Sequence, residues 1–241
     1  MPNSGGKLPA KSSRSEISDF IAKVKSMPAV RAGSGAGRLI FAMDATASRE
    51  PTWDRASRIQ GEMFAATRDL GGLEIQLVWY RGFGEFEASA WFSNADALVR
   101  RMTSVSCRAG ETQIGKVLHH ALAETQRCKV NAVVFVGDAC EENVDALCGL
   151  AGRLGLAGVP VFIFHEGGEP VARRCFEEIA RLSGGAYCPF DSSSANALRD
   201  LLAAVATFAA GGRAALEDFS RKRGGAAALL ASRLRLSHQG R

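Results

Sequence analysis

Three short polar segments of this sequence carry side chains that could bind a metal ion. The first segment is Asp44-Ala45-Thr46-Ala47-Ser48, the second surrounds Thr112, and the third ends at Asp138. Together they offer two carboxylates and three hydroxyls, with no histidine or cysteine among them. Oxygen donors of this kind suit Mg²⁺, Mn²⁺ or Ca²⁺ better than Zn²⁺. The candidate metal ligands are therefore Asp44, Thr46, Ser48, Thr112 and Asp138.

The charge of this set predicts how a bound ion would behave. Two carboxylates only balance a divalent cation, and hydroxyls add no charge. We therefore expect the ion to remain able to accept a carboxylate from another molecule. Thr46 and Ser48 are two residues apart, so a tight loop can direct both hydroxyls at one ion. Taken alone, Asp44, Thr46 and Ser48 are also typical of a turn or a helix cap, since short polar side chains bond nearby backbone groups.

The elements that must position these residues alternate between apolar strands and amphipathic helices from Leu39 onwards. This pattern is typical of a largely parallel sheet with helices on both faces. The connection over 81–84 is too short for a crossover helix, so the strands beside it form an antiparallel hairpin. Strands are predicted over 39–43, 74–80, 86–92, 132–136, 161–164 and 186–190, and helices over 51–70, 95–102, 114–126, 144–154, 171–182 and after Ser194.

The predicted fold class is α/β, a doubly wound, mostly parallel six-stranded sheet with one antiparallel edge strand. In such sheets ligands bind beyond the carboxyl ends of the strands, where the strand order reverses. Asp44 ends the first strand and Asp138 follows the fourth. If these two strands are neighbours, both carboxylates lie at one site, and Thr112 lies just before a helix that begins nearby.

The three segments resemble the metal-ion-dependent adhesion site (MIDAS) of the von Willebrand factor A (VWA) family. The family motif is DxSxS, then a distant Thr, then a distant Asp, and the counterparts here are DATAS, GETQIG and VGDA. The resemblance covers roughly residues 38–210. Thr46 replaces the more usual Ser and keeps the hydroxyl, and Gly137 stands where relatives often carry Thr.

The resemblance implies a Rossmann-like VWA fold and a non-catalytic, metal-dependent protein-interaction module. Its cofactor would be Mg²⁺, or Mn²⁺ or Ca²⁺, and its partner a protein that offers Asp or Glu to the metal. Stand-alone bacterial members resemble adaptors that work beside AAA+ ATPases or chaperone systems. We therefore expect a bacterial adaptor that binds neither a specific nucleic acid nor a membrane.

The alternative function is a metal-dependent phosphatase of the haloacid dehalogenase type, which also places an Asp after its first strand. That family needs a second Asp two residues later, where this chain has Thr46. A nucleotide-binding enzyme is disfavoured, because neither GxxxxGK[ST] nor GxGxxG follows the first strand. Nucleic-acid binding through the basic ends would be nonspecific.

Charge divides the chain into a body and two basic ends. Residues 1–38 carry a net charge of +5 and residues 220–241 carry +6, so the total of +5 leaves −6 for the residues between. We predict a flexible basic leader over 1–37, a VWA-like domain over 38–210, and a basic extension over 211–241 with a short helix. Within the leader, Ile17, Phe20, Ile21 and Val24 have the spacing of a docking helix.

The chain lacks an apolar run near the roughly 20 residues of a membrane span, and its first residues lack a signal-peptide core. A cytoplasmic location is the expectation. The six cysteines form no CxxC pair and are expected to be reduced thiols, with Cys140 inert.

The histidines and the remaining acidic residues near these segments are weaker candidates for ligands. His119 and His120 are adjacent on a predicted helix and cannot both face one ion. His165 is interpreted as a loop residue without a function. The remaining acids beside the presumed ligands are expected to form a solvated acidic face, and they are Glu111, Glu141 and Glu142.

Overall fold

The computed structural model describes residues 19–20, 22–24, 26, 36–50, 73–190 and 202–211. Six strands are present in them, namely β1 (Gly37–Asp44), β2 (Leu73–Arg81), β3 (Glu85–Phe92), β4 (Ala132–Gly137), β5 (Val161–Glu166) and β6 (Ala186–Phe190). The helices between them are α1 (Ala95–Thr103), α2 (Ile114–Arg127), α3 (Val144–Leu156) and α4 (Pro170–Ser183). Residues 202–211 are also helical. The helix predicted over 51–70 lies outside the described residues.

The strands form a single sheet in the order β3-β2-β1-β4-β5-β6. β1 pairs in parallel with β2 on one side and β4 on the other. Only the edge strand β3 is antiparallel to its neighbour. The predicted fold class is therefore confirmed, and the strand order reverses between β1 and β4, as the placement of the two aspartates required.

Burial of β1 accounts for the apolar run over residues 39–43 within it. All eight of its residues are buried, which is expected when helices cover both faces of a parallel sheet. Successive side chains point to opposite faces, so Phe41 and Met43 belong to one core cluster, whereas Ile40 and Ala42 belong to the other.

The helices complete a three-layer arrangement. The apolar sides of α2, α3 and α4 pack on one face of the sheet. The other face is covered by α1 and by the helical residues 202–211. Phe20, from the predicted docking helix, also lies there, with its ring 5.9 Å from that of Phe162 and 5.4 Å from that of Phe164. The predicted contact of Phe20 and Val24 with the domain is thus confirmed, since both are buried.

Local sequence signals fix where the helices begin and end. Asn94 caps α1, because its side chain accepts a hydrogen bond from the backbone N–H of Asp96. Glu169 caps α4 in the same way, and Pro170 occupies its first turn. Gly184 ends α4 with φ 76°, a left-handed conformation that favours glycine. Among the described helices, none combines the length and apolar character needed to cross a bilayer.

Candidate metal centre

The two predicted carboxylates lie beyond the ends of neighbouring strands. Asp44 is the last residue of β1, and Asp138 follows Gly137 at the end of β4. A Cβ built on Gly137 would lie 3.5 Å from the Cβ of Asp44, so the strand ends are close together. The same Cβ would lie 2.8 Å from the Phe135 ring, so a larger residue at position 137 would require this ring to shift.

Asp44 is fully buried, and its surroundings disfavour its charge. Burial raises the pKa of the Asp44 carboxyl above its ordinary value, and the negative charge of Asp138 raises it further. Hydrogen bonds from the Thr46 side chain and backbone oppose this shift. Asp44 is therefore a carboxylate whose charged form would gain from a nearby cation.

The loop after β1 brings three predicted ligands together. The backbone N–H of Thr46 donates a 2.8 Å hydrogen bond to Asp44 Oδ1, which turns the chain back toward the strand end. Thr46 Oγ1 and Ser48 Oγ lie 3.1 Å apart. The expectation that a tight loop directs both hydroxyls toward one place is consistent with this geometry.

Thr112 is connected to the loop after β4 rather than directly to Asp44. Its backbone N–H donates to Glu141 Oε2 at 3.1 Å, and its Oγ1 accepts from the backbone N–H of Glu141 at 3.0 Å. The preceding residues are tied to the first segment, because the backbone N–H of Arg108 donates to the Ala45 carbonyl at 3.0 Å. The three polar segments are thus linked in one edge of the sheet.

Close backbone packing supports the Thr112 segment. A Cβ on Gly110 would lie 2.1 Å from the carbonyl oxygen of Gly82, so only glycine permits this approach. The backbone N–H of Glu111 donates to that same carbonyl at 3.3 Å. The β2–β3 turn therefore holds the segment at the carboxyl edge of the sheet.

Asp138 has a buried carboxylate oxygen that lacks a hydrogen-bond partner. Its Oδ1 is inaccessible to solvent and accepts no hydrogen bond from the described residues. Such an atom is costly to leave unpaired, and native structures normally provide it with a donor or a cation. Together with the hydroxyls of Thr46 and Ser48, this orphan oxygen fits a divalent cation that prefers oxygen ligands.

Tyr80 is part of the site, although its sequence position does not indicate this. Its hydroxyl donates a 2.9 Å hydrogen bond to Asp44 Oδ2. Burial raises the pKa of Tyr80 well above its ordinary value, with the charge of Asp44 as a further cause, so the phenol remains a donor. The register that pairs Asp44 with Tyr80 across β1 and β2 brings the two residues together.

Arg49 is a second contributor that the sequence did not single out. The side chain is 1% exposed, and its Nη1 donates to the carbonyls of Asp44 at 3.2 Å and Val136 at 3.1 Å. The guanidinium also bonds Glu166, with Nη2 and Oε2 2.9 Å apart. Arg49 therefore joins the carboxyl ends of β1, β4 and β5.

The prediction that Glu142 belongs to a solvated acidic face is wrong. Its carboxylate accepts from the backbone N–H groups of Ile114 and Gly115, the latter at 2.9 Å, and so caps α2. Burial raises the pKa of this carboxyl, although the same backbone bonds oppose the shift. Glu142 thus positions the loop that carries Asp138.

His165 also differs from its prediction, because it is buried in β5 rather than free in a loop. Its Nδ1 lies 2.9 Å from the Tyr187 hydroxyl, and its Nε2 lies 3.4 Å from the carbonyl oxygen of Asp138. Burial lowers the pKa of His165. The neutral ring supports the backbone of Asp138.

The candidate site differs from a metal site built on His, Cys, Asp and Glu side chains alone. Groups of three or more His, Cys, Asp or Glu side chains able to hold an ion are absent from residues 36–50, 73–190 and the shorter described stretches. A cation at the β1–β4 edge would consequently depend on hydroxyl ligands as well as on its two carboxylates.

Comparison by sequence and by structure gives different results. The sequence matches no protein-family model and none of the curated proteins compared with it. By structure, the chain is similar to the VWA domain of SpRpn10, with a TM-score of 0.57 and 13% identity over 70% of this chain and 94% of that one. It is also similar to an aerotolerance-related membrane protein from Bacteroides fragilis, with a TM-score of 0.54 and 16% identity over 69% of this chain and 98% of that one.

A third similar structure holds a metal in its own site. This is proximal thread matrix protein 1 from the mussel byssus, described with a zinc-occupied MIDAS motif. Its TM-score is 0.58 and its identity is 16%, over 71% of this chain and 46% of that one. At these identities the likeness concerns the fold alone. The chain therefore has a VWA-like fold.

Proposed function

We propose that this protein is a non-catalytic interaction module that binds a divalent cation and uses it to capture an acidic side chain of another protein. The metal ligands would be Asp44, Thr46, Ser48, Thr112 and Asp138. The single observation that supports this proposal most is the buried, unpartnered Oδ1 of Asp138 beside the buried carboxylate of Asp44.

The charge near the site supports a cation rather than an anion. Asp44 and Asp138 contribute two negative charges. The nearby positive side chain, Arg49, is already paired with Glu166. When bound, a divalent ion would supply the Lewis acidity that attracts a further carboxylate. The protein's own residues would orient the ligands, because Arg49 and Glu142 fix the loops that carry them.

The metal that we propose is Mg²⁺, or Mn²⁺ or Ca²⁺, because all five side chains offer oxygen. The partner would be a protein with an exposed Asp or Glu, and a component of an AAA+ ATPase or chaperone system is the class that we propose in a bacterial cytoplasm. The phosphatase alternative is not supported. Thr46 stands where its second Asp would be needed, and its hydroxyl is close to Ser48 instead.

Peptide selection tests this function directly. Peptides from a random library would be bound to the immobilised full chain in Mg²⁺ or Mn²⁺ and eluted with EDTA. We expect the eluted pool to be enriched in Asp or Glu, and replacement of that residue by Asn or Gln to abolish binding. The Thr112→Ala variant, checked for an unchanged circular dichroism spectrum, should bind none of these peptides.

Binding that survives EDTA at full strength would mean that the site does not mediate the interaction. A metal-dependent pool without acidic residues would exclude carboxylate capture. The exposed Glu111→Gln variant, next to Thr112, is the matched control and should bind as wild type does.

A further inference from the structure

Two cysteine thiols meet beside the loop that carries Asp138. Cys140 lies two residues after Asp138, and Cys175 lies in α4. Their Sγ atoms are 2.7 Å apart, and both residues are free cysteines. Both are buried in one core cluster that also contains Leu147 and Phe176. The contact joins two elements that are 35 residues apart in the chain.

The geometry already places the two sulfurs close to bonding distance. A disulfide requires an S–S separation of about 2.05 Å, so an approach of less than about 1 Å would suffice. The two residues also differ in access, because Cys140 is 8% exposed and Cys175 is fully buried. Cys140 is therefore the more accessible of the two thiols to a small oxidant, and Cys175 is positioned to react next.

We propose that Cys140 and Cys175 form a reversible disulfide that fixes the Asp138 loop to α4, with a peroxide as the oxidant. The Cys140 thiolate attacks one peroxide oxygen and breaks the O–O bond, which gives a sulfenic acid and, after protonation, water from hydrogen peroxide. The Cys175 sulfur then attacks the sulfenic sulfur and releases a second water. Two thiols lose two electrons and two protons, and one peroxide is reduced to two waters.

The position of Cys140 determines what this bond would do. Cys140 lies between Asp138 and Glu141. The backbone N–H of Glu141 hydrogen-bonds the Thr112 hydroxyl, and the next residue, Glu142, caps α2. A covalent link in the middle of this loop would restrict the motion of all these residues together. Oxidation would consequently hold the polar edge of the sheet in the arrangement seen here, and reduction would allow it to open locally.

The test uses the full chain treated with hydrogen peroxide, alkylated and mapped by mass spectrometry. We expect one linked peptide pair that contains Cys140 and Cys175, and its disappearance after dithiothreitol. The melting temperature of the oxidised protein should rise by about 5–15 °C, because the bond constrains the unfolded chain. Amide hydrogen exchange over 139–143 should become slower.

Variants make the result specific to this pair. Cys140→Ala and Cys175→Ala should each abolish the link and the changes in melting temperature and exchange, whereas the half-buried Cys107→Ser control should retain them. Each variant is first shown by circular dichroism to be folded under reducing conditions. The proposal would be overturned if Cys140 is converted to sulfinic acid or links to another cysteine. It would also fail if the linked protein exchanges over 139–143 as fast as the reduced protein does.

Discussion

The Tyr80 hydroxyl donates a 2.9 Å hydrogen bond to Asp44 Oδ2, and both residues are fully buried. The two side chains lie at the carboxyl ends of adjacent parallel strands, in direct register. The bond gives the buried carboxylate one fixed donor, which leaves its other oxygen to accept from the Thr46 backbone N–H. The candidate site is therefore organised around Asp44, and Asp138 Oδ1 is the carboxylate oxygen without a hydrogen-bond partner among the described residues.

Replacement of Tyr80 by Phe removes this donor while keeping the ring. We expect the metal-free protein to lose about 1–3 kcal/mol of unfolding free energy, because a buried acceptor is left unpaired. A bound cation would compensate for the loss, so Mg²⁺ should raise the melting temperature of Tyr80→Phe more than that of wild type. Thermal unfolding with and without Mg²⁺ measures both effects, and equal increases in the two proteins would argue against the prediction.

Neutralising Asp44 should have the opposite effect on the metal-free protein. Its charge is buried and repelled by Asp138, so Asp44→Asn removes an unfavourable interaction. The Asn oxygen can still accept from the Thr46 N–H, and its amide nitrogen can donate to the Tyr80 hydroxyl, which then becomes the acceptor. At neutral pH we expect a melting temperature at or above that of wild type without metal, and no increase on addition of Mg²⁺. The exposed Glu87→Gln change should alter neither value. A large loss of stability in metal-free Asp44→Asn would show that the carboxylate is needed for folding.

Removal of the Arg49 guanidinium should be costly, because the mostly buried Glu166 would lose this ion pair and two strand-end carbonyls would lose a donor. For Arg49→Met we expect a loss of about 3–5 kcal/mol in urea unfolding. Arg181→Met, which breaks an exposed ion pair with Glu178, is the control and should change little. Near-equal stabilities of the two variants would disprove the structural role of Arg49.

The main features of the fold were predictable from the sequence because they depend on short-range patterns. Apolar runs or apolar alternation identified the strands, and the short 81–84 connection identified the hairpin. Asp44 and Asp138 could be located because each comes at the end of such a run. Their meeting at one edge then depended only on β1 and β4 being neighbours, which is the observed order.

The supporting residues could not be predicted, because their roles depend on three-dimensional contacts. Tyr80 reads as one residue of an alternating strand, and only the β1–β2 register brings it to Asp44. Arg49 reads as a polar loop residue, yet the 3-10 turn Ala47–Arg49 directs it inward to Glu166. In the sequence, Glu142 looks like a solvated acidic residue. Only the structure shows that the N-terminus of α2 lies beside it.

A pH effect is expected from His120, which is not among the proposed metal ligands. Burial lowers the pKa of its ring below the ordinary 6.5, while Glu124 opposes the shift and Arg127 adds to it. As the pH falls below 6.5, the unfolded chain takes up this proton first, so stability decreases until the folded pKa is reached.

Substitution of His120 by Gln should reduce the loss of unfolding free energy between about pH 7.5 and pH 5.5. The measurement is urea unfolding at both pH values. The neighbouring His119 is exposed, and His119→Gln should retain the pH dependence of wild type. If the two variants show the same change in unfolding free energy between the two pH values, His120 does not contribute to the pH dependence of stability.

The central claim is that Asp44 and Asp138 hold a divalent cation with the help of three hydroxyls, and calorimetric titration of Mn²⁺ or Mg²⁺ into the metal-free chain tests it most directly. We predict one bound ion per chain in wild type and in the Glu111→Gln control. Asp138→Asn, which should remain folded, is expected to weaken binding by at least about tenfold, equivalent to about 1.4 kcal/mol. The absence of binding in wild type, or equal affinity in Asp138→Asn, would contradict the claim.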